Sequence, residues 1–135
     1  MGYNVYMSKK YKILIVDDDK FLLDMYKKKF ESNGAEVDVA LGSEETLAKL
    51  RDGAKPDILI LDVIMPKIDG IELLGIIRKE QLSPDSIVIM LTNESDTNRI
   101  KEAELLGISG YIVKAINIPT DVINKVWEII KSSAK

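Results

Sequence analysis

Several strand-like segments of the sequence are followed by side chains that can hold a cation or a phosphoryl group. Asp17 and Asp18 follow the first such segment, and Asp62, Thr92 and Lys114 each follow a later one. A carboxylate beside a divalent cation and an ammonium group can accept a phosphoryl group, because both positive charges neutralise the transferring oxygens. Phosphoryl transfer needs little beyond positioning and charge stabilisation. These residue types therefore predict a site for phosphoryl transfer to an aspartate.

The composition excludes other chemistries. The 135 residues contain no cysteine and no histidine. A disulfide framework, a cysteine or histidine metal site and a Ser-His-Asp triad are therefore excluded. The formal net charge of −3 offers no electrostatic reason to expect a nucleic acid or an anionic membrane as partner. Neither a signal peptide nor a membrane-spanning run is evident, and we expect a cytoplasmic protein.

The elements that position these side chains follow from the hydrophobic pattern. Residues 13–16, 58–61, 87–91 and 111–113 are short apolar runs rich in β-branched side chains, which is typical of strands covered on both faces. Val37-Asp38-Val39 alternates and predicts an edge strand. Helical spacing separates the runs, so the order is (βα)5 with helices on both faces of a parallel sheet. We predict a flexible extension over residues 1–10, one domain over 11–131 and a polar tail over 132–135.

In such a sheet, ligands bind beyond the carboxyl ends of the strands. Carboxylates about 4 Å apart repel each other by roughly 4 kcal/mol at an effective dielectric of 20. Lys114 can offset one of these charges, and a hard divalent cation such as Mg²⁺ suits the rest. An isolated Asp at a strand end is more often a helix cap, as we predict for Asp19. The joint placement of charged side chains at several strand ends favours a functional site instead.

On these residues the chain resembles the receiver domain of two-component response regulators, including the stand-alone chemotaxis-type members. The resemblance extends from about Tyr11 to Ile130 and implies a flavodoxin-like sheet with strand order 2-1-3-4-5. The matching segments are residues 13–18 with the acidic pair, 56–62 with Met65-Pro66 and Asp69-Gly70, 87–92, and 110–114.

The resemblance implies a role for each residue around the acceptor. Asp62 would be phosphorylated, and Asp18 and Asp62 would bind Mg²⁺ directly, with Mn²⁺ able to replace it. Asp17 would act largely through water, and the backbone carbonyl of Ile64 would complete the protein ligands.

Further positions would control the switch. Thr92 and Lys114 would bind phosphoryl oxygens, and Tyr111 would swing inward as Thr92 moves. Ile64 and Glu94 occupy the positions that tune dephosphorylation in the family. Because Ile64 cannot hydrogen-bond a water molecule, we expect a long-lived phosphoryl state. The family usually has a proline after a cis bond where this chain has Ala115, so we expect a trans Lys114–Ala115 bond.

The resemblance also implies partners. The donor would be a phosphohistidine on a histidine kinase or phosphotransfer protein. The fourth and fifth helices with the last strand would form the output surface and a homodimer face. Arg99, Lys101 and Glu104 lie on the fourth helix of this surface.

Four other interpretations fit parts of the sequence. A phosphatase of the haloacid-dehalogenase type would need a second Asp where this chain has Ile64, and this difference argues against it. A flavodoxin-like electron carrier would need a phosphate-binding loop after the first strand. This chain has Asp17-Asp18-Asp19 there, which would repel the phosphate of a flavin. A receiver-like interaction module that never carries phosphate, and a receiver fragment of a larger regulator, stay open as alternatives.

Overall fold

A computed structural model describes residues 10–93, 97–114 and 119–133 of the chain. Strands and helices alternate throughout these residues, as the hydrophobic pattern predicts. In chain order the elements are β1 (Lys12–Asp17), α1 (Lys20–Ser32), β2 (Glu36–Leu41), α2 (Ser43–Arg51), β3 (Ile58–Asp62), α3 (Gly70–Lys79), β4 (Ile87–Thr92), α4 (Thr97–Leu105), β5 (Gly110–Val113) and α5 (Pro119–Ser133).

The strands form one parallel sheet in the order β2-β1-β3-β4-β5, which confirms the predicted fold class and strand order. The predicted edge strand is β2, at one side of the sheet. The strands are paired so that the carboxyl ends of neighbouring strands lie side by side. Asp62 at the end of β3 pairs with Leu91 of β4, and Thr92 pairs with Val113 of β5.

Two hydrophobic cores cover the two faces of the sheet. Successive strand residues point to opposite faces, so Ile13 and Ile15 pack with α1 and α5, whereas Leu14 and Val16 pack toward α2 and α3. Trp127 of α5 is 1% exposed and lies edge-on to the rings of Tyr11 and Phe30. Within the described residues, none of the helices is both long enough and apolar enough to cross a bilayer.

The helix ends agree with most of the local signals in the sequence. Asp19 caps α1, accepting hydrogen bonds from the backbone of Phe21 and Leu22, and Asp69 forms a capping box at α3. Ser95, which the sequence favours as the N-cap of α4, lies outside the described residues. Helix α5 continues to Ser133 and thus includes the first two residues of the predicted polar tail.

The open edge of β2 is closed by side chains. Its outward carbonyls at Val37 and Val39 accept hydrogen bonds from Lys27 (3.1 Å) and Lys49 (2.8 Å), which come from the helices on opposite faces. The outward N–H of Leu41 donates to Glu45 at 2.7 Å. Unpaired edge groups are a template for strand addition, and charged side chains are a common protection. We infer that these contacts keep β2 from pairing with a second chain.

Replacing both Lys27 and Lys49 with alanine should therefore promote self-association. Losing both capping ammonium groups frees two carbonyls for a new strand, and we expect the dimer dissociation constant to fall by about tenfold or more. Sedimentation velocity over a concentration series measures this. Lys20→Ala with Lys28→Ala, two exposed positions on α1, removes the same charge and serves as the control. Equal sedimentation of the two double variants would contradict the expectation.

Candidate functional site

The charged side chains predicted from the strand ends meet at one edge of the sheet. Asp17 closes β1 and Asp62 closes β3, with 2% and 4% of their surface exposed, while Asp18 is exposed. Carboxylate oxygens of these three residues lie within 4.8 Å of one another. The structure therefore brings together an acidic cluster that is buried on one side and open to solvent on the other.

Lys114 supplies a positive charge inside this cluster. Its Nζ lies 3.2 Å from Oδ2 of Asp17 and 3.3 Å from Oδ1 of Asp62, and its side chain is 12% exposed. Burial opposes the charged ammonium, yet attraction by the two carboxylates outweighs burial and raises the pKa of Lys114. Lys114 is thus held as a cation between the two buried acids.

One ammonium does not compensate three carboxylates. Burial, followed by repulsion from Asp17, raises the pKa of Asp62 from 3.8 to about 7, against the attraction of Lys114. The uncompensated charge makes Asp62 the carboxyl group most in need of a cation or a proton. A raised pKa from burial and a like charge within a cleft is typical of functional carboxylates.

The donor set fits a hard divalent cation. Asp17, Asp18 and Asp62 offer only carboxylate oxygens, which Mg²⁺ prefers, and the exposure of Asp18 leaves room for the waters that Mg²⁺ retains. Asp19 is excluded from this set because its carboxylate caps α1. Its backbone N–H instead donates to Oδ1 of Asp17 at 3.0 Å, which helps to orient that carboxylate.

Thr92 and Tyr111, the two predicted switch residues, lie on neighbouring strands. Thr92 closes β4 and is 1% exposed, whereas Tyr111 on β5 points outward with 42% exposure. Both line a cavity of about 10 Å³ beneath Ile100 and Ala103 of α4. That volume is about the size of one water molecule, so an inward swing of the Tyr111 ring would require the lining of the cavity, either Thr92 or α4, to move. Ile64 is exposed at the rim of the cluster.

The structure also reveals neighbours of the site that sequence reasoning did not single out. A side chain at Gly70 would meet the backbone oxygen of Asp62, since a Cβ built there lies 2.1 Å from it. Tyr26, whose helical spacing with Leu22 and Phe30 indicates a core residue, feels the charges of Lys114, Asp17 and Asp62, although burial is the main reason that its pKa is raised. The Asp-Gly pair opening α3 was the one available signal for Gly70.

Arg99 lies on α4, as expected. Its side chain forms ion pairs with Asp69 at the start of α3 and with Glu102 of its own helix. Glu94 and the Lys114–Ala115 bond lie outside the described residues, so the expectations for dephosphorylation and for a trans bond stay predictions.

Comparison with known proteins gives a family match over most of the chain. Residues 13–126 match the family described as "Response regulator receiver domain". The transcriptional regulatory protein CpxR of Escherichia coli is 37% identical over 123 residues, which cover 90% of this chain and 50% of CpxR. The chain spans about half the length of the curated relatives it matches.

Solved structures agree with this match. The response regulator receiver domain protein (CheY-like) from Methanospirillum hungatei is 31% identical, with a TM-score of 0.80 covering 92% of this chain and 96% of that one. The chemotaxis protein CheY4 of Vibrio cholerae is 29% identical, with a TM-score of 0.78 covering 90% and 99% of the two chains.

Proposed function

This chain belongs to the response regulator receiver domain family, and from that premise we propose that it is a switch controlled by phosphorylation of Asp62. Receiver domains are signalling switches rather than turnover enzymes. The observation that carries the proposal is the buried Asp62 carboxylate, held 3.3 Å from the ammonium of Lys114 within a cluster of acids.

The proposed reaction is transfer of a phosphoryl group from a phosphohistidine of a partner protein. An oxygen of the Asp62 carboxylate forms a bond to phosphorus, and the phosphorus–nitrogen bond of the donor breaks. The bonding electrons leave with the imidazole of the donor, and the product on this chain is an aspartyl phosphate. Such a covalent intermediate on a carboxylate is well-known enzyme chemistry.

The surrounding side chains would stabilise the transferring group. Lys114 would pair with one phosphoryl oxygen, and the Thr92 hydroxyl would donate to another. Asp17 keeps Lys114 in place through the 3.2 Å contact between them. A Mg²⁺ ion held by Asp17, Asp18, Asp62 and the backbone carbonyl of Ile64 would neutralise further oxygen charge. Mn²⁺ has similar ligand preferences and would replace it.

Slow loss of the phosphoryl group is part of the proposal. The exposed Ile64 side chain offers no hydrogen bond to an attacking water molecule. Glu94, two residues after Thr92, would be the polar group available at the other tuning position. We expect the phosphorylated protein to keep its phosphoryl group after the donor has been removed, with loss followed over time by intact mass.

We propose a histidine kinase or phosphotransfer protein as the phosphoryl donor, a location in the cytoplasm, and output through the surface of α4, β5 and α5. The similarity to response regulators, including the regulator CpxR, supports the kinase. Homodimerisation through the same surface is a further part of the proposal. An unchanged sedimentation profile after phosphorylation would argue against it.

The chain spans about half the length of its curated relatives. The output activity of a longer protein that contained this chain is therefore not part of the proposal.

Intact mass after incubation with acetyl phosphate and Mg²⁺ tests the acceptor. The wild-type chain should gain one phosphoryl group, and the gain should disappear in Asp62→Asn and without Mg²⁺. Asp24→Asn, which removes an exposed carboxylate from α1, should still be phosphorylated. A folded wild-type chain that neither binds Mg²⁺ nor gains mass would point instead to an interaction module. Tight Mg²⁺ binding without a mass gain would mean that the small donor is not accepted, and the kinase would then be required.

A further inference from the structure

Two arginines fasten helices α3 and α4 to each other, one at each end. Arg99 of α4 forms an ion pair with Asp69, the N-cap of α3. Arg78 of α3 donates to the carbonyls of Leu106 (2.8 Å) and Gly107 (3.0 Å), just beyond the end of α4. The two helices are therefore tied at the end near the acidic cluster and again at the opposite end.

The tie at Arg99 uses both oxygens of one carboxylate. Oδ1 of Asp69 accepts the backbone N–H groups of Ile71 (3.0 Å) and Glu72 (2.8 Å), and Oδ2 binds the Arg99 guanidinium. The side chains of Arg99 and Asp69 are 31% and 25% exposed, so water screens the pair only in part. Arg99 also contacts Glu102 of its own helix at 3.1 Å.

This tie adjoins the backbone of the acceptor. Gly70, next to Asp69, donates its N–H to the carbonyl of Val63 at 2.8 Å and packs directly against the carbonyl of Asp62. Arg99 and Asp69 also line a cleft of about 250 Å³ together with residues 63–65. A displacement of α4 that pulls on Arg99 would therefore reach the loop that follows Asp62.

The space between α4 and the strands is small. The cavity of about 10 Å³ there is lined by Thr92, Tyr111 and Arg99 itself, and it cannot admit an aromatic ring. An inward movement of Tyr111 therefore requires the lining of this cavity to move, and α4 supplies Arg99, Ile100 and Ala103 to that lining. The contacts of α4 with α3 oppose a shift of this helix. Of the two ties described above, the Arg99–Asp69 pair is the one near the acidic cluster, at the carboxyl ends of the strands.

We propose that the Arg99–Asp69 ion pair is a lock that holds α4 in the unphosphorylated position, with the Arg78 contacts as the pivot at the far end. This inference rests on the proposed phosphorylation of Asp62. Coupling between two sites is reciprocal: if phosphorylation must open the lock, removing the lock must favour phosphorylation. Arg99 is thus a positioning residue whose loss accelerates the reaction instead of slowing it.

The test uses two variants that break the pair from opposite sides. Arg99→Gln removes the guanidinium, and Asp69→Asn removes the carboxylate charge while keeping a side chain that caps helices well. Each should raise hydrogen exchange of the α4 amides several-fold in the unphosphorylated chain. Each should also speed phosphorylation by acetyl phosphate by about fivefold to tenfold, the lower part of the usual range of coupling between two sites. The double variant should match the single variants because both remove one interaction.

Glu102→Gln is the matched control, because it removes the second partner of Arg99 and leaves the lock intact. It should behave like the wild-type chain in both measurements. Faster exchange with an unchanged or slower phosphorylation rate would overturn the lock and leave a purely structural tie. Additive effects in the double variant would also overturn it. A wild-type chain that takes up no phosphoryl group would overturn the proposed function itself, and that result is visible before any variant is compared.

Discussion

Gly70→Ala is expected to lower the free energy of unfolding by about 3 kcal/mol, the upper part of the range for overpacked sites, and to prevent phosphorylation of Asp62. The added Cβ would lie 2.1 Å from the backbone oxygen of Asp62 and 2.9 Å from the Cα of Val63. These neighbours are backbone atoms that cannot rotate away. Either α3 or the end of β3 must shift, and a shift of β3 disturbs the 3.3 Å contact between Asp62 and Lys114. Urea unfolding and intact mass after acetyl phosphate treatment measure the two losses.

Gly75→Ala provides a control within the same helix. No atom lies within 4 Å of a Cβ built at Gly75, and alanine is favoured over glycine in a helix interior by about 1 kcal/mol. This variant should therefore be slightly more stable than the wild-type chain and should be phosphorylated normally. Equal stability of the two alanine variants would show that the contact between a Cβ at position 70 and the backbone of Asp62 does not destabilise the fold.

Asp62→Asn is expected to make the metal-free protein more stable at alkaline pH while abolishing phosphorylation. Burial and the repulsion of Asp17 raise the pKa of Asp62 from 3.8 to about 7. Between these two values the folded chain holds a proton that the unfolded chain has lost. Asp62 therefore contributes stability below its unfolded pKa, and this contribution disappears as the pH rises through about 7.

Solvent reaches the acidic cluster from its open side and weakens the effect of Asp62 on the free energy of unfolding. One pKa unit corresponds to about 1.4 kcal/mol, and we expect about 1–2 kcal/mol between the variant and the wild-type chain at about pH 8.5. Urea unfolding in the presence of a chelator, repeated across the pH range, measures this difference. It should shrink as the pH falls, because the protonated carboxyl group of Asp62 and the amide that replaces it in the variant are both neutral.

Mg²⁺ supplies the complementary measurement. At alkaline pH it should stabilise the wild-type chain, because a ligand that binds only the folded state shifts the unfolding equilibrium. In Asp62→Asn the same addition should have a smaller effect, since one carboxylate ligand is missing. Asp24→Asn changes the net charge equally but lies on the exposed face of α1, and it should follow the wild-type chain throughout. A stability difference independent of pH would contradict the assignment to Asp62.

Local signals in the sequence accounted for the elements and for some of their ends. The caps at Asp19 and Asp69 could be predicted because each carboxylate binds backbone groups only two or three residues ahead. The strands could be predicted because runs such as 58–61 are short, continuously apolar and rich in β-branched residues, which is typical of parallel strands covered on both faces.

Contacts between distant segments had no such signal. Arg99 and Asp69 are 30 positions apart, and nothing in the pattern of either helix indicates that they meet. The charge of Arg99 suits a solvent-exposed surface equally well, so the sequence pattern does not separate it from Lys101 and Glu104. Tyr26 has the spacing of a core residue, and only the packing of α1 under the sheet edge brings it near Lys114.

The sequence by itself determined which side chains gather at the site, because all parallel strands end at the same edge of their sheet and the residues after them must meet there. Asp17, Asp62, Thr92 and Lys114 are in that position for this reason. Only the tertiary structure decided how strongly they interact. The 3.3 Å contact between Lys114 and Asp62, the raised pKa of Asp62 and the ties between α3 and α4 depend on distance and burial. Those quantities arise when separate segments pack, and no single segment encodes them.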